Sequence, residues 1–242
     1  MAPSMASRVD ADVRAGYAAW AAGYDAQDNP MITAVERELA LRPLSFAGRR
    51  VLDIGCGTGR VLARALGHGA AYVQGIDGSV EMLAEATRRL GPAIVDGQAA
   101  LSYARLDGDW SALPTDFDLA TITLVLEHEP HVAPVLARAA RHLKPGGRLF
   151  VAEIHPDMLR TDLGGHFERD GVTYALPSHP HGRAEFEAAL TEAGFVSVAF
   201  HEMHADADTI AAIPKFAKRA GSGVLLSLRA SAAPSGGSRP SR

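Results

Sequence analysis

Arg49-Arg50-Val51-Leu52-Asp53-Ile54-Gly55-Cys56-Gly57-Thr58-Gly59-Arg60 is an apolar run that breaks into alternating glycines and then opens a helical stretch, RVLARALGHG (60–69). A compact aliphatic run of this kind suits a strand covered on both faces, and glycines let the chain turn sharply at its end. Strand, tight turn and helix in that order make a parallel crossover unit. The same alternation continues outward. AYVQGID (71–77) reads as the next strand, and Ser79 as the N-cap of SVEMLAEATRRL (79–90), whose Met82, Leu83 and Ala86 share a face. LSYARLD (101–107) and FDLATITLVL (117–126) read as strands, followed by a helix, HVAPVLARAARHLK (131–144), closed by Pro145-Gly146-Gly147. GRLFVAEI (147–154) is a strand and RAEFEAALTEAGF (183–195) an amphipathic helix. VSVAFHEM (196–203) and GVLLSLRA (223–230) are two last strands, joined through 204–222 by an irregular, hairpin-like excursion. The pattern predicts an α/β three-layer sandwich, a mostly parallel sheet with helices on both faces.

Composition narrows the function. A chain of 242 residues, 47% hydrophobic and 21% charged, suits one large globular domain. Its single cysteine, Cys56, excludes an intramolecular disulfide and any cysteine-built metal site. A net charge of −4 offers no basic field, so nucleic acid is not expected as a partner. No apolar run is long enough to span a bilayer, so no membrane partner is expected either. MAPSMASRVDADV lacks a secretory-type apolar stretch, and a cytoplasmic location is expected. Small, polar residues 1–8 and the Pro/Gly/Ser-rich 232–242 are predicted to be disordered tails around a single domain, 9–231.

The glycine loop carries the strongest chemical signal. Amides at a helix N-terminus attract an anionic group, yet the loop lacks the Lys-Ser/Thr ending of a triphosphate-binding loop. Asp77, followed by Gly78 at the end of the second strand, is an acid placed to accept both hydroxyls of a ribose. Asp53, beside the loop, repels pyrophosphate but suits a ligand bearing an ammonium group. Together these point to an amino-acid nucleoside rather than a dinucleotide.

VLDIGCGTGR, GIDGS, LDGDWSALP, FDLATITLVLEH and LKPGGRL, in this order between about 49 and 155, resemble a class I S-adenosylmethionine-dependent methyltransferase of the small-molecule type. The resemblance implies a seven-stranded sheet of order 3-2-1-4-5-7-6 with strand 7 antiparallel. It also implies S-adenosyl-L-methionine as cofactor and S-adenosyl-L-homocysteine as product. By position, Asp53, Gly55, Gly57 and Gly59 would surround the methionyl part, with Cys56 in the same loop as a buried thiol. Asp77 and Gly78 would meet the ribose, Met82 would pack on the adenine, Asp109 would read its amino group, and Trp110 would add a backbone amide or a stacking surface. Thr123 and Leu124 would line the sulfonium side.

Tyr17, Trp20 and Tyr24 lie three and four apart, near one helical face. That face either packs on the domain or belongs to an N-terminal helical lid (9–46) whose Tyr17 and Tyr24 contact the cofactor. His128 and His155 follow the fourth and fifth strands, where an open parallel sheet binds its ligand. They are the candidate catalytic bases, His155 first, needed only if the acceptor loses a proton. The insertion 156–182 holds His166, Phe167, Tyr174, His179 and His181 and is expected to build the acceptor pocket. His179 and His181 are a weak ligand pair, and no metal is expected. Arg160 and Arg183 stand as solvated side chains able to neutralise an acceptor carboxylate. The expected activity is direct methyl transfer to a small organic acceptor, by a monomer or homodimer. A methyltransferase of protein or RNA, or a cofactor-binding module without transfer, are the alternatives.

Overall fold

Seven strands, the inner ones buried on both faces, build the central sheet in the computed structural model, which describes residues 7–161, 166–169 and 172–234. In chain order the strands are β1 (Ser7–Asp10), β2 (Arg50–Ile54), β3 (Tyr72–Asp77), β4 (Ala99–Tyr103) and β5 (Phe117–Thr123), then β6 (Leu143–Ile154), β7 (His166–Arg169), β8 (Val172–Ala175), β9 (Phe195–His204) and β10 (Gly223–Ala232). The helices are α1 (Val13–Trp20), α2 (Pro30–Leu41), α3 (Arg60–Gly67) and α4 (Val80–Val95), then α5 (Ala133–His142), α6 (Pro156–Thr161), α7 (Arg183–Glu192) and α8 (Ala207–Ala212). The large sheet runs β4-β3-β2-β5-β6-β10-β9, and β10 is antiparallel to both its neighbours. This is the expected 3-2-1-4-5-7-6 order once the strands outside the large sheet are left uncounted.

Side-chain alternation along each strand splits the core into two layers. Leu52, Ile54, Leu149 and Val151 pack with Val135 and Leu136 of α5 and Phe186 of α7. Their neighbours Val51, Val73 and Leu119 face Leu62 and Ala65 of α3 instead. Phe150 and Leu225 face Met31, Val35 and Leu39 of α2. α2 is also fixed by a polar rivet: Glu38, 1% exposed, accepts bonds from Arg42 at 2.8 and 2.9 Å and from the Ser227 hydroxyl at 2.8 Å.

Several boundaries differ from the sequence reading, each for a physical reason. β6 begins at Leu143 and takes in Pro145-Gly146-Gly147, because a register shift between Phe117 and Leu119 of β5 lets the turn bulge within the strand. α4 runs through Pro92 to Val95: the proline gives up one amide bond, and the Asp96, Gly97 and Gln98 amides close the end on the Pro92, Ile94 and Ala93 carbonyls. β4 begins two residues early, at Ala99. The 204–222 excursion does join an antiparallel pair, but through α8 and a short 3-10 turn, Pro214–Arg219. Ser7 and Arg8, expected in a tail, belong to β1, which pairs in parallel with β8; Ala232 closes β10. The rest of the two predicted tails, apart from Ala233 and Pro234, lies outside the described residues. So do parts of the 156–182 insertion, whose described portion contains α6 and the β7–β8 hairpin. No helix among the described residues is long and apolar enough to cross a membrane.

Candidate active site

The turn after β2 is wound by its glycines: Gly55, Gly57 and Gly59 have φ of +70°, +51° and +78°. The Gly55 and Cys56 amides both donate to the Ile76 carbonyl at 2.9 Å, which docks the loop on the end of β3. A side chain at Gly55 would meet Val125 Cγ2 at 2.6 Å as well as a left-handed backbone. Gly55→Ala is therefore expected to destabilise the protein by about 2–4 kcal/mol, joining left-handed strain to overpacking. Chemical denaturation checks this, and a loss under ~0.5 kcal/mol would show the turn to be relaxed without glycine.

Two acids stand at this turn. Asp53 is 1% exposed and accepts a 2.6 Å bond from the Thr121 hydroxyl. Burial pushes its carboxyl up to about 7, against the Thr121 bond and with help from the Asp77 charge. Asp77 accepts from the Gly57 amide (2.8 Å) and the Ser79 amide (2.8 Å), so it spans the glycine loop and the start of α4. Burial raises its pKa while those backbone amides oppose the shift. Ser79 caps α4 as expected, accepting from the Met82 amide at 3.2 Å. No cation neutralises Asp53 among the described residues, so its ionised form has no charged partner until a cation enters.

A cavity of about 300 Å³ opens above the turn, at the carboxyl ends of β2, β3 and β5. The N-terminal segment covers it. Asp25 is bound by Thr58 (3.2 Å), Arg60 (3.4 Å) and Arg89, and Glu36 by Arg60 (3.3 Å) and Arg64 (2.8 Å). Tyr17, Trp20 and Tyr24 form one aromatic cluster, with ring centroids 4.8 to 6.3 Å apart. The cover has a second support, because β8 pairs with β1 and Leu176 packs closely on Gly16 of α1.

His128 joins these parts. Its Nδ1 lies 2.7 Å from the Pro177 carbonyl, which can only accept, so in the neutral ring Nδ1 carries the proton. Nε2 is left to accept from the Tyr17 hydroxyl at 2.8 Å. Glu127, 4% exposed, places Oε1 3.8 Å from that same Nε2. Burial, followed by the charges of neighbouring acids and Tyr24, holds the Tyr17 phenol well above its ordinary pKa, so it stays a donor.

The cavity brings together Tyr17, Tyr24, Asp53, Gly55, Cys56, Gly57, Asp77, Gly78, Met82, Thr123, Leu124 and His128 from the sequence-predicted set. Four predicted residues lie elsewhere. Gly59 is the left-handed N-cap of α3, where a side chain would press on Ala86 and Leu90. Trp110 is a core residue, 3% exposed, its indole donating to the Arg105 carbonyl at 2.8 Å. Asp109 turns to Ser111, and Arg105, Leu106 and Asp107 line the cavity in their place. His155, the first-choice base, does not line this cavity. The pairing of β6 with β10 carries it over Gly223, where Nδ1 accepts from the Asp157 amide at 3.1 Å and Nε2 lies 3.7 Å from Glu202. His181 bridges Glu185 (2.9 Å) and the Glu129 carbonyl (2.7 Å), a clamp between the insertion and the segment after β5. Sequence reasoning missed Val13, Ile32, Val35 and Glu36 of the cover, which lie on helical faces with no chemical motif to single them out.

A seven-stranded sheet with this order, a glycine turn and paired acids at its carboxyl edge define a nucleoside-binding α/β transferase. The model of the methyltransferase domain family matches residues 25–199, and the chain belongs to that family. Ubiquinone biosynthesis O-methyltransferase of Pseudomonas aeruginosa is 35% identical over 143 residues, 58% of this chain and 58% of its own. The namesake of Stutzerimonas stutzeri is 32% identical over 146 residues, 60% of this chain and 59% of its own. The chain thus spans about three fifths of the curated relatives' length. A crystal structure of an S-adenosylmethionine-dependent methyltransferase from Mesorhizobium loti superposes with a TM-score of 0.66 at 26% identity, covering 81% of this chain and 96% of that one.

Proposed function

We propose that the chain transfers a methyl group from S-adenosylmethionine to a hydroxyl of a small organic acceptor. The observation that carries the reading is the pair of acids, buried Asp53 and partly buried Asp77, facing one glycine-lined cavity with no cation beside Asp53 among the described residues. An ammonium-bearing nucleoside fits that cavity. Asp53 suits the amino group, Asp77 the ribose hydroxyls, and the space beyond Gly57 is open, with no atom within 4 Å of where a side chain would start. Met82 and Leu106 offer an apolar wall for a flat ring. The cofactor supplies a methyl already activated on a cationic sulfur, so the protein's work is alignment and exclusion of water.

An oxygen acceptor is supported by the proton path and by the relatives' names. A hydroxyl beside Tyr17 passes its proton to the phenol oxygen as Tyr17 gives its own to Nε2 of His128. The Pro177 carbonyl orients that ring, and Glu127 stabilises the cation formed. Tyr17 need not ionise, in keeping with its raised pKa.

The test is release of S-adenosylhomocysteine across phenolic, catecholic, amine and carbon-acid acceptors. Turnover with hydroxyl acceptors is expected, and turnover confined to amines would overturn the oxygen assignment. Tyr17→Phe is expected to lower kcat about 100-fold, the size of a lost acid–base relay, with the product's Kd changed less than about threefold.

A further inference from the structure

We infer that Glu153 is a positioning residue, the clamp that holds the strained turn at Leu124 and Val125 against the glycine loop. Leu124 follows β5 with φ of +54°, a left-handed conformation that costs a branched side chain about 1–2 kcal/mol. Something must hold it there. The Leu124 amide donates to the Ala152 carbonyl at 2.9 Å, and the next two amides go to one side chain. Glu153 receives the Val125 amide at 3.2 Å on both oxygens and the Leu126 amide at 3.1 Å.

Glu153 itself is 3% exposed and does not line the cavity. Among the described residues its carboxyl is met by backbone amides and no cation, with Glu127 a further negative neighbour. Such a group is costly to bury, and an apolar residue would pack the end of β6 more cheaply. What the carboxyl supplies is acceptor oxygen aimed at two consecutive amides. These bonds fix Val125, whose methyl groups occupy the space a Gly55 side chain would need, and Leu124, which walls the cavity. Glu153 therefore acts through the turn on the place where the acceptor meets the methyl group, and in this it rests on the methyl-transfer reading.

The test uses Glu153→Gln, nearly isosteric but presenting an N–H to one of the two amides, alone and combined with Leu124→Gly, which removes the left-handed strain. Amide exchange at Val125 and Leu126 is expected to rise about tenfold or more in E153Q, with Ile122 unchanged. kcat is expected to fall by about tenfold or more, while Kd for S-adenosylhomocysteine stays within about twofold. In the Leu124→Gly background both effects should shrink to about threefold or less, since the clamp then has no strain to hold. Unchanged exchange in E153Q, or equal fold-changes in both backgrounds, would overturn the clamp. A parallel loss of product binding would make Glu153 part of the cofactor site instead. Failure of the wild type to turn over any acceptor would defeat the methyl-transfer reading alone, and the exchange measurements would still decide the clamp.

Discussion

Asp77→Ala is expected to weaken binding of S-adenosylhomocysteine by about 1–3 kcal/mol, or roughly 5- to 150-fold in Kd. The carboxylate does two things at once. Its oxygens accept the Gly57 and Ser79 amides, which sets the loop and the start of α4 at a fixed separation. It also lines the cavity, and in the proposed reading its remaining lone pairs accept from the ribose diol. Removing it strands both amides and leaves two ligand hydroxyls unpaired, so the loss should exceed that of one neutral hydrogen bond. Calorimetry with the demethylated product measures the effect without need of an acceptor. A Kd equal to the wild type's would remove Asp77 from the ribose site and leave it a purely structural tie. Asp77→Asn separates the two roles: one amide bond survives in the loop, and the ligand loses a charged acceptor.

The parts of this site that were visible in the sequence are those tied to a strand end. Asp53, the glycines, Asp77 and Ser79 sit where a parallel strand stops and a helix begins, so their place follows from local pattern. Leu124 and His128 were visible for the same reason at the end of β5. Where position depends on non-local pairing, the sequence was silent. His155 looks equivalent to His128 on the page, but β6 has β10 on its far side, and that antiparallel neighbour takes the histidine away from the cavity. Ser7–Asp10 has no strand period, and only its pairing with β8 makes it one. In the loop after β4, Asp107 and Asp109 are equally plausible by composition; the burial of Trp110 turns the first to the cavity side and leaves the second to Ser111. Glu153 ends an apolar strand as a lone acid, a signal present in the sequence but without meaning until its two amide partners are known.

Asp53→Asn is expected to make the ligand-free protein more stable above neutral pH while making it a poorer binder. A carboxyl raised to about 7 by burial takes up its proton more readily in the folded chain than in the unfolded one, where its pKa is about 3.9. Between those values the folded state holds the extra proton, so stability falls as pH rises from about 4 to about 7 and stays low above it. The linkage bounds the loss at about 4 kcal/mol, and asparagine, which still accepts from Thr121, should remove about half of it or more. Glu153, held up to about 8, adds a second fall that begins near the same pH, runs on to about 8 and is not abolished by Asp53→Asn. A ligand ammonium reverses the balance at Asp53 by pairing with the ionised form. Affinity for the cofactor should thus rise with pH through 7 in the wild type, and in Asp53→Asn should be about tenfold weaker and nearly flat. Denaturation at pH 5 and 8, with calorimetry at the same two values, measures both halves. Equal pH dependence of stability in wild type and variant would mean that Asp53 is ionised at no cost and that the cavity does not select a cation there. The acid would then be kept for the loop alone, and the discrimination between an amino-acid nucleoside and other nucleosides would have to lie with the cover.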